Sequence, residues 1–231
     1  MKLLGGIQLD NGGMARSVDT MYLQQNIMDI TNQNMVGFNK VGYQKDVPYV
    51  TSFAEYIGCY ALSSKRDDEI GRIKITKMPL DTALATKGYF RVQTPDGVQL
   101  SRDGRFRIDK DGNLINIQNQ KILSTSGKPV KFNNIPKDLQ NIKIYDNGDI
   151  KIFDPDKLKF QDVGTISIVD ANKQPVKDSM LKQGYIEESN VNLQEEAYKL
   201  ITVRRNFEAN RQLFIIQNEA LSKLLQELGK A

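Results

Sequence analysis

Apolar residues recur at seven-residue intervals near both ends of the chain, and in short runs with extended-strand character between them. Toward the C-terminus the row Leu193, Leu200, Phe207, Phe214, Leu221 and Leu228 is uninterrupted. The row four residues on, Ala197, Arg204, Arg211, Asn218 and Leu225, is polar in its middle. No Gly or Pro breaks residues 185–228, so one helix can run through them. Asn192 with Glu195 three residues later has capping-box spacing and marks its start. A strict seven-residue repeat with a narrow apolar stripe is the pattern of a coiled-coil seam. The N-terminal end mirrors it. Met14, Met21, Met28 and Met35 form one row, with Val18, Gln25 and Asn32 between them, and residues 14–36 lack Gly and Pro. Neither stripe is wide enough to stabilise a lone helix, so the two segments are expected to pack on each other and on further copies. Met21, Met28, Met35, Leu193, Leu200, Phe207, Phe214 and Leu221 are the expected packing seam.

The middle of the chain reads differently. All seven prolines lie between Pro48 and Pro175. Residues 88–94 and 98–102 flank Pro95-Asp96-Gly97, and residues 141–145 and 149–153 flank Asn147-Gly148; both are hairpin patterns. Further strands are expected at 105–109, 113–117 and 164–169. Short strands at such spacing predict an antiparallel barrel or sandwich. The expected fold is therefore α+β. Residues 1–50 and 184–231 supply long helices paired as a coiled coil, and residues 51–183 form a central antiparallel β domain.

Composition narrows the chemistry. The 231 residues include no His and one cysteine, Cys59. That removes His-based triads, His-containing zinc sites and any intramolecular disulfide. The net charge of +4 is dispersed, with no basic block to track nucleic acid. No apolar run reaches the length of a membrane span. The opening MKLLGGIQLDNGG has too short an apolar core for a cleaved secretory signal; any export is expected to leave the N-terminus intact. With Gly112 at position 6 of a calcium loop, Asp109 and Asp111 fit positions 3 and 5, but Arg107 and Gln118 fall where the strongest ligands belong. The Asp–Gly clusters are read as turns, and no metal or cofactor is expected. No phosphate loop and no nucleophile elbow occur; the chain is not expected to be an enzyme.

Three runs carry a resemblance. GYIEESNVN at 184–192, leading into LQEEAYKLITVRRNFEAN, closely resembles the C-terminal signature of bacterial flagellar rod and hook proteins, with Gly184, Glu187, Ser189, Asn190 and Val191 at its motif positions. MPLDTALATKGYFRVQTPDGVQLSRDGRFRIDKDGNLI at 78–115 resembles that family's core strands through Pro79, Leu80, Asp81, Gly88, Phe90, Gly104 and Gly112. DITNQNMVGFNKVGYQK at 29–45, with Gly37 and Phe38, is similar to the run that ends its N-terminal helix. The chain departs from the pattern at Gln33-Asn34-Met35 and at Lys77-Met78.

The resemblance implies an inner coiled-coil domain of paired terminal helices, with the β domain outside. It also implies helical polymerisation into the tubular, periplasm-spanning drive shaft of the flagellum. The implied partners are further copies, other rod or hook proteins and the flagellar type III export apparatus. Nucleic-acid binding and membrane insertion are not implied. The short stretch from Asp46 to Lys77 points away from a hook-type subunit, while features of both distal and proximal rod subunits are present. A soluble coiled-coil adaptor with a β-rich binding domain is the alternative from a different class, and it predicts a discrete dimer or trimer.

Overall fold

A computed structural model describes residues 12–50, 62–136, 138–155 and 158–229. Cys59 and the first eleven residues lie outside the described residues. The chain divides into two compact units. One comprises residues 1–35, 46–66 and 192–231, and the other residues 36–45 and 67–191. These borders differ from cuts at 50/51 and 183/184. The cause is local: among the described residues, strands β1 (Asp46–Val50) and β2 (Leu62–Arg66) pair only with each other, from Asp46 opposite Arg66 to Val50 opposite Leu62.

The first unit contains two helices, α1 (Gly12–Gly37) and α2 (Leu193–Leu228). Asn192 caps α2, its Oδ1 accepting from the N–H groups of Gln194 and Glu195. Glu195 takes part as the spacing predicts, but its carboxylate accepts from the Asn192 side-chain amide, 3.1 Å away, instead of the backbone. Two free N–H groups of the first turn are thereby satisfied.

The second unit is antiparallel throughout. Its strands are β3 (Ile73–Ile75), β4 (Thr82–Leu84), β5 (Tyr89–Thr94), β6 (Gly97–Ser101), β7 (Arg107–Ile108), β8 (Leu114–Ile115) and β9 (Lys121–Ile122). They continue with β10 (Ile142–Ile144), β11 (Asp149–Asp154), β12 (Lys159–Thr165), β13 (Ile168–Val169), β14 (Leu181–Gln183) and β15 (Tyr185–Glu187). The largest sheet runs β13-β5-β9-β8-β7, with β6 on β5; β10-β11-β12 form a second, and β14-β4 and β15-β3 are pairs. Both predicted hairpins form, with Thr94 opposite Gly97 and Ile144 opposite Ile150.

The strands expected at 105–109 and 113–117 shrink to two residues each. Asp103, Asp109 and Asn116 turn their side-chain oxygens onto the N–H groups of Arg105, Asp111 and Gln120, and these local bonds compete with the ladder. The run 164–169 divides because Ile166 N–H goes to the Gly148 carbonyl and Ser167 N–H to the Leu123 carbonyl. The chain passes from one sheet to another there.

The apolar core belongs to this unit. Leu84, Phe90, Leu114, Ile122, Ile142 and Leu181 are fully enclosed, and Phe90 meets Phe106 edge to face at 5.1 Å. Burial on this scale drives folding of a small β unit.

Candidate assembly surface

The helices show what a narrow stripe does at the level of side chains. On α1 the methionines Met14, Met21, Met28 and Met35 are half-buried, and the residues three positions on, Ser17, Gln24 and Thr31, are buried. The Ser17 hydroxyl donates to the Gly13 carbonyl and that of Thr31 to the Ile27 carbonyl. Gln24 is 8% exposed and, among the described residues, its Oε1 has no hydrogen-bond partner.

On α2, Leu200, Phe207, Phe214 and Leu221 are half-buried, whereas Leu193 is 39% exposed. Their companions are Val203, Asn210, Gln217 and Leu224, again three positions on and half-buried. In the row read four positions on, Val18 and Ala197 are half-buried, and Gln25, Asn32, Arg204, Arg211, Asn218 and Leu225 are exposed.

Two contacts orient the helices. A Cβ on Gly13 would lie 3.1 Å from Nε2 of Gln217, and Nδ2 of Asn34 donates to Oε2 of Glu196 at 3.1 Å. The start of α1 therefore lies beside the C-terminal half of α2, and its last turn beside the first turn of α2. The two run in opposite directions.

Asn34 also holds the entry to β1, donating to the Asp46 carbonyl at 2.8 Å and accepting from Asp46 N–H at 2.9 Å. Glu196, itself buried, takes Lys199 Nζ on its other oxygen at 2.7 Å. The sequence reading passed over this pair, since a polar residue in a seam reads as a gap. The only clue was Asn34 standing where the resemblance expected a different residue.

In the β unit the motif residues converge on two knots. Glu187, 2% exposed, accepts from Nε and the terminal nitrogen of Arg102 at 2.8 and 2.7 Å and from Gly71 N–H at 3.0 Å. Its carbonyl takes Gly42 N–H at 2.8 Å. Arg102 spends its other donors on the carbonyls of Gly88, Leu84 and Thr86. Asn190 forms the second knot. Its Oδ1 accepts from Lys45 N–H at 2.7 Å and its Nδ2 donates to the carbonyls of Asp67 and Glu69. Ser189 Oγ accepts from Val191 N–H, and the Val191 side chain is buried.

Gly104 is required by packing: a Cβ there would overlap the Thr82 carbonyl oxygen. Gly112, at φ +82°, closes the Asp109 turn beneath the Phe132 carbonyl. Leu80 and Phe90 lie in the core. The Asp81 carbonyl takes Gly184 N–H, the latter residue at φ +80°. Phe38 is exposed and lines a surface cavity of about 380 Å³ with Lys74, Ile186 and Glu188.

The Asp109 carboxylate, tested above as a calcium ligand, is occupied by the side-chain amide and backbone N–H of Asn113 and by Asp111 N–H. The Asn113 side-chain bond above all holds its pKa below the ordinary carboxylate value. Among the described residues no three acidic or thiol side chains gather into a metal site, and no helix is long and apolar enough to cross a membrane.

Residues 83–152 match the family described as the flagellar hook protein FlgE/F/G D1 domain, and residues 182–227 match the flagellar basal body rod FlgEFG protein C-terminal family. The flagellar basal-body rod protein FlgF of Rhizobium meliloti is 30% identical over 87% of this chain and 89% of its own length. FlgF of Mesorhizobium japonicum is 29% identical over the same shares. FlgG of Bacillus subtilis is 30% identical over 65% of this chain and 66% of its own. The second of the two matched segments includes Glu187, Asn190 and most of α2, and the first includes Arg102 and most of the β-unit core. The chain belongs to the flagellar basal-body rod protein family and is a structural subunit of the rod.

Proposed function

We propose that the subunit polymerises with copies of itself and with other rod and hook proteins, its two helices pairing as an antiparallel coiled coil in the inner wall of a tube. The β unit, in this reading, forms the outer wall, closed as a small barrel or sandwich. The assembly transmits torque and encloses the export channel. The subunit reaches it through the flagellar export apparatus, and its role there is structural.

One observation carries the reading. Among the described residues, no apolar side chain of the helical unit is buried; its buried side chains are Ser17, Gln24, Thr31, Asn34 and Glu196. Leu200, Val203, Phe207, Phe214, Leu221 and Leu224 stand half-covered along one face of α2. Helices held by so little apolar burial gain their stability from neighbours.

Cryo-electron microscopy of isolated basal bodies tests the proposal. Density for this chain in the rod, helices innermost, is the expected result. Its absence from the rod, or a discrete soluble dimer or trimer as its sole assembled form, overturns it.

A further inference from the structure

Strands β1 and β2 make a two-stranded ribbon, and among the described residues no third strand lies on either side of it. An open strand edge is a template for pairing with another chain, so an isolated ribbon needs both edges guarded. The need is sharp on β1, where Val47 and Tyr49 stand exposed. Exposed β-branched and aromatic residues on an unpaired edge favour association.

The ladder fixes which way each backbone group faces. The Lys45 carbonyl accepts from Asp67 N–H at 2.9 Å, so position 45 faces the partner strand. Successive residues of an antiparallel pair face opposite ways. Asp46, Pro48 and Val50 therefore turn their backbone groups to the outer side of β1. Asn34, 1% exposed, stands on that side. Its amide takes both groups of Asp46, donating to the carbonyl at 2.8 Å and accepting from the N–H at 2.9 Å. A neighbouring strand would make the same two bonds. At the next outward position Pro48 has no N–H to offer. The outer edge of β2 is guarded by other means, the exposed charges of Lys65 and Arg66.

We propose that Asn34 stands in for a third strand and, with Pro48, closes the outer edge of β1 against strand addition by other copies of this chain. The contact with Glu196 uses one amide hydrogen of Asn34. The second hydrogen and the oxygen both go to Asp46, whose pairing groups would otherwise face outward. The device goes beyond the rod reading and does not depend on it. It names an edge at which copies do not join, and leaves association to other faces.

Purified full-length protein tests it, at a concentration where the unmodified chain sediments as a monomer. Asn34→Ala and Glu196→Ala each break the contact between the two residues, but only the first uncovers Asp46. Asp46 N–H is expected to exchange with solvent about tenfold faster in Asn34→Ala and little faster in Glu196→Ala. Asn34→Ala combined with Pro48→Val opens successive outward positions. That double variant should associate, seen by sedimentation and by an intermolecular β-sheet infrared band. Adding Val47→Lys should return it toward monomer, because a lysine on an edge strand opposes pairing. Equal Asp46 exchange in the two single variants overturns the proposal. So does a double variant that associates no more than Glu196→Ala, or association that Val47→Lys leaves unchanged. Images of basal bodies decide the rod reading separately, whichever way these results fall.

Discussion

At the scale of single residues, the motif side chains of the β unit act as fasteners between segments far apart in sequence. Glu187 and Arg102 form an ion pair that is almost wholly out of water. Such a pair contributes little net stability compared with apolar packing, but removing one partner leaves the other charge buried alone. Glu187→Gln should therefore destabilise the β unit by about 3–5 kcal/mol, read as a lower denaturation midpoint in urea. A surface change such as Lys173→Gln should shift that midpoint little.

The Asp149 carboxylate gives a pH dependence. The Thr165 hydroxyl, and after it the Asn147 amide, hold its pKa below the ordinary carboxylate value. In the unfolded chain these bonds are gone. The stabilisation is thus present above the ordinary value of about 3.9 and is lost as pH falls through the lower, folded one. Asp149→Asn should flatten that part of the acid limb in thermal melts recorded across a pH series; an unchanged limb would assign the acid sensitivity elsewhere.

At the scale of elements, periodicity revealed both helices and both hairpins, while the frame of the helical stripes stayed hidden. Rows at seven-residue spacing stand out when they hold Met, Leu and Phe. Most of their partners here, Ser17, Gln24, Thr31, Asn210 and Gln217, are polar, and no hydropathy pattern separates them from solvent-facing residues. Leu193, apolar and in step with its row, is exposed because it opens the first turn of α2. The short strands were over-read for the opposite reason: Asp and Asn side chains that bind backbone locally look like mere turn markers. Phe207 and Phe214 test the helical face. Each is half-buried in the single chain, so Phe207→Ala should change the melting of free protein little. If neighbours complete its burial, the loss rises to about 3–5 kcal/mol in every subunit. Swimming should fail and rods stay incomplete, whereas Gln226→Ala, on the exposed side of α2, should swim normally. Full-length rods carrying Phe207→Ala would remove the helical face from the assembly surface.

At the scale of the whole molecule, two units of unequal cohesion share one chain. The β unit has an enclosed apolar core, and the helical unit has half-covered rows and polar buried positions. In free protein the helices should open at lower temperature than the sheets, with the helical circular-dichroism signal lost in a first transition and the sheet signal in a second. Protease should cut residues 12–35 and 192–229 first in free chain and spare them in isolated rods. Equal resistance in both states would show that the helices need no neighbours.

Across the opposed helices Gly13 meets Gln217 and Asn34 meets Glu196. Twenty-one residues separate the two points on either helix, three full heptads on each. The lengths of two stretches far apart in the sequence are therefore tied. Removing residues 18–24 alone slides Asn34 a heptad away from Glu196 and abandons that carboxylate without its amide donor. Removing residues 204–210 as well brings the two back into step. A single seven-residue deletion should abolish motility and the paired deletion should restore part of it, so the chain can shorten here only in matched heptads.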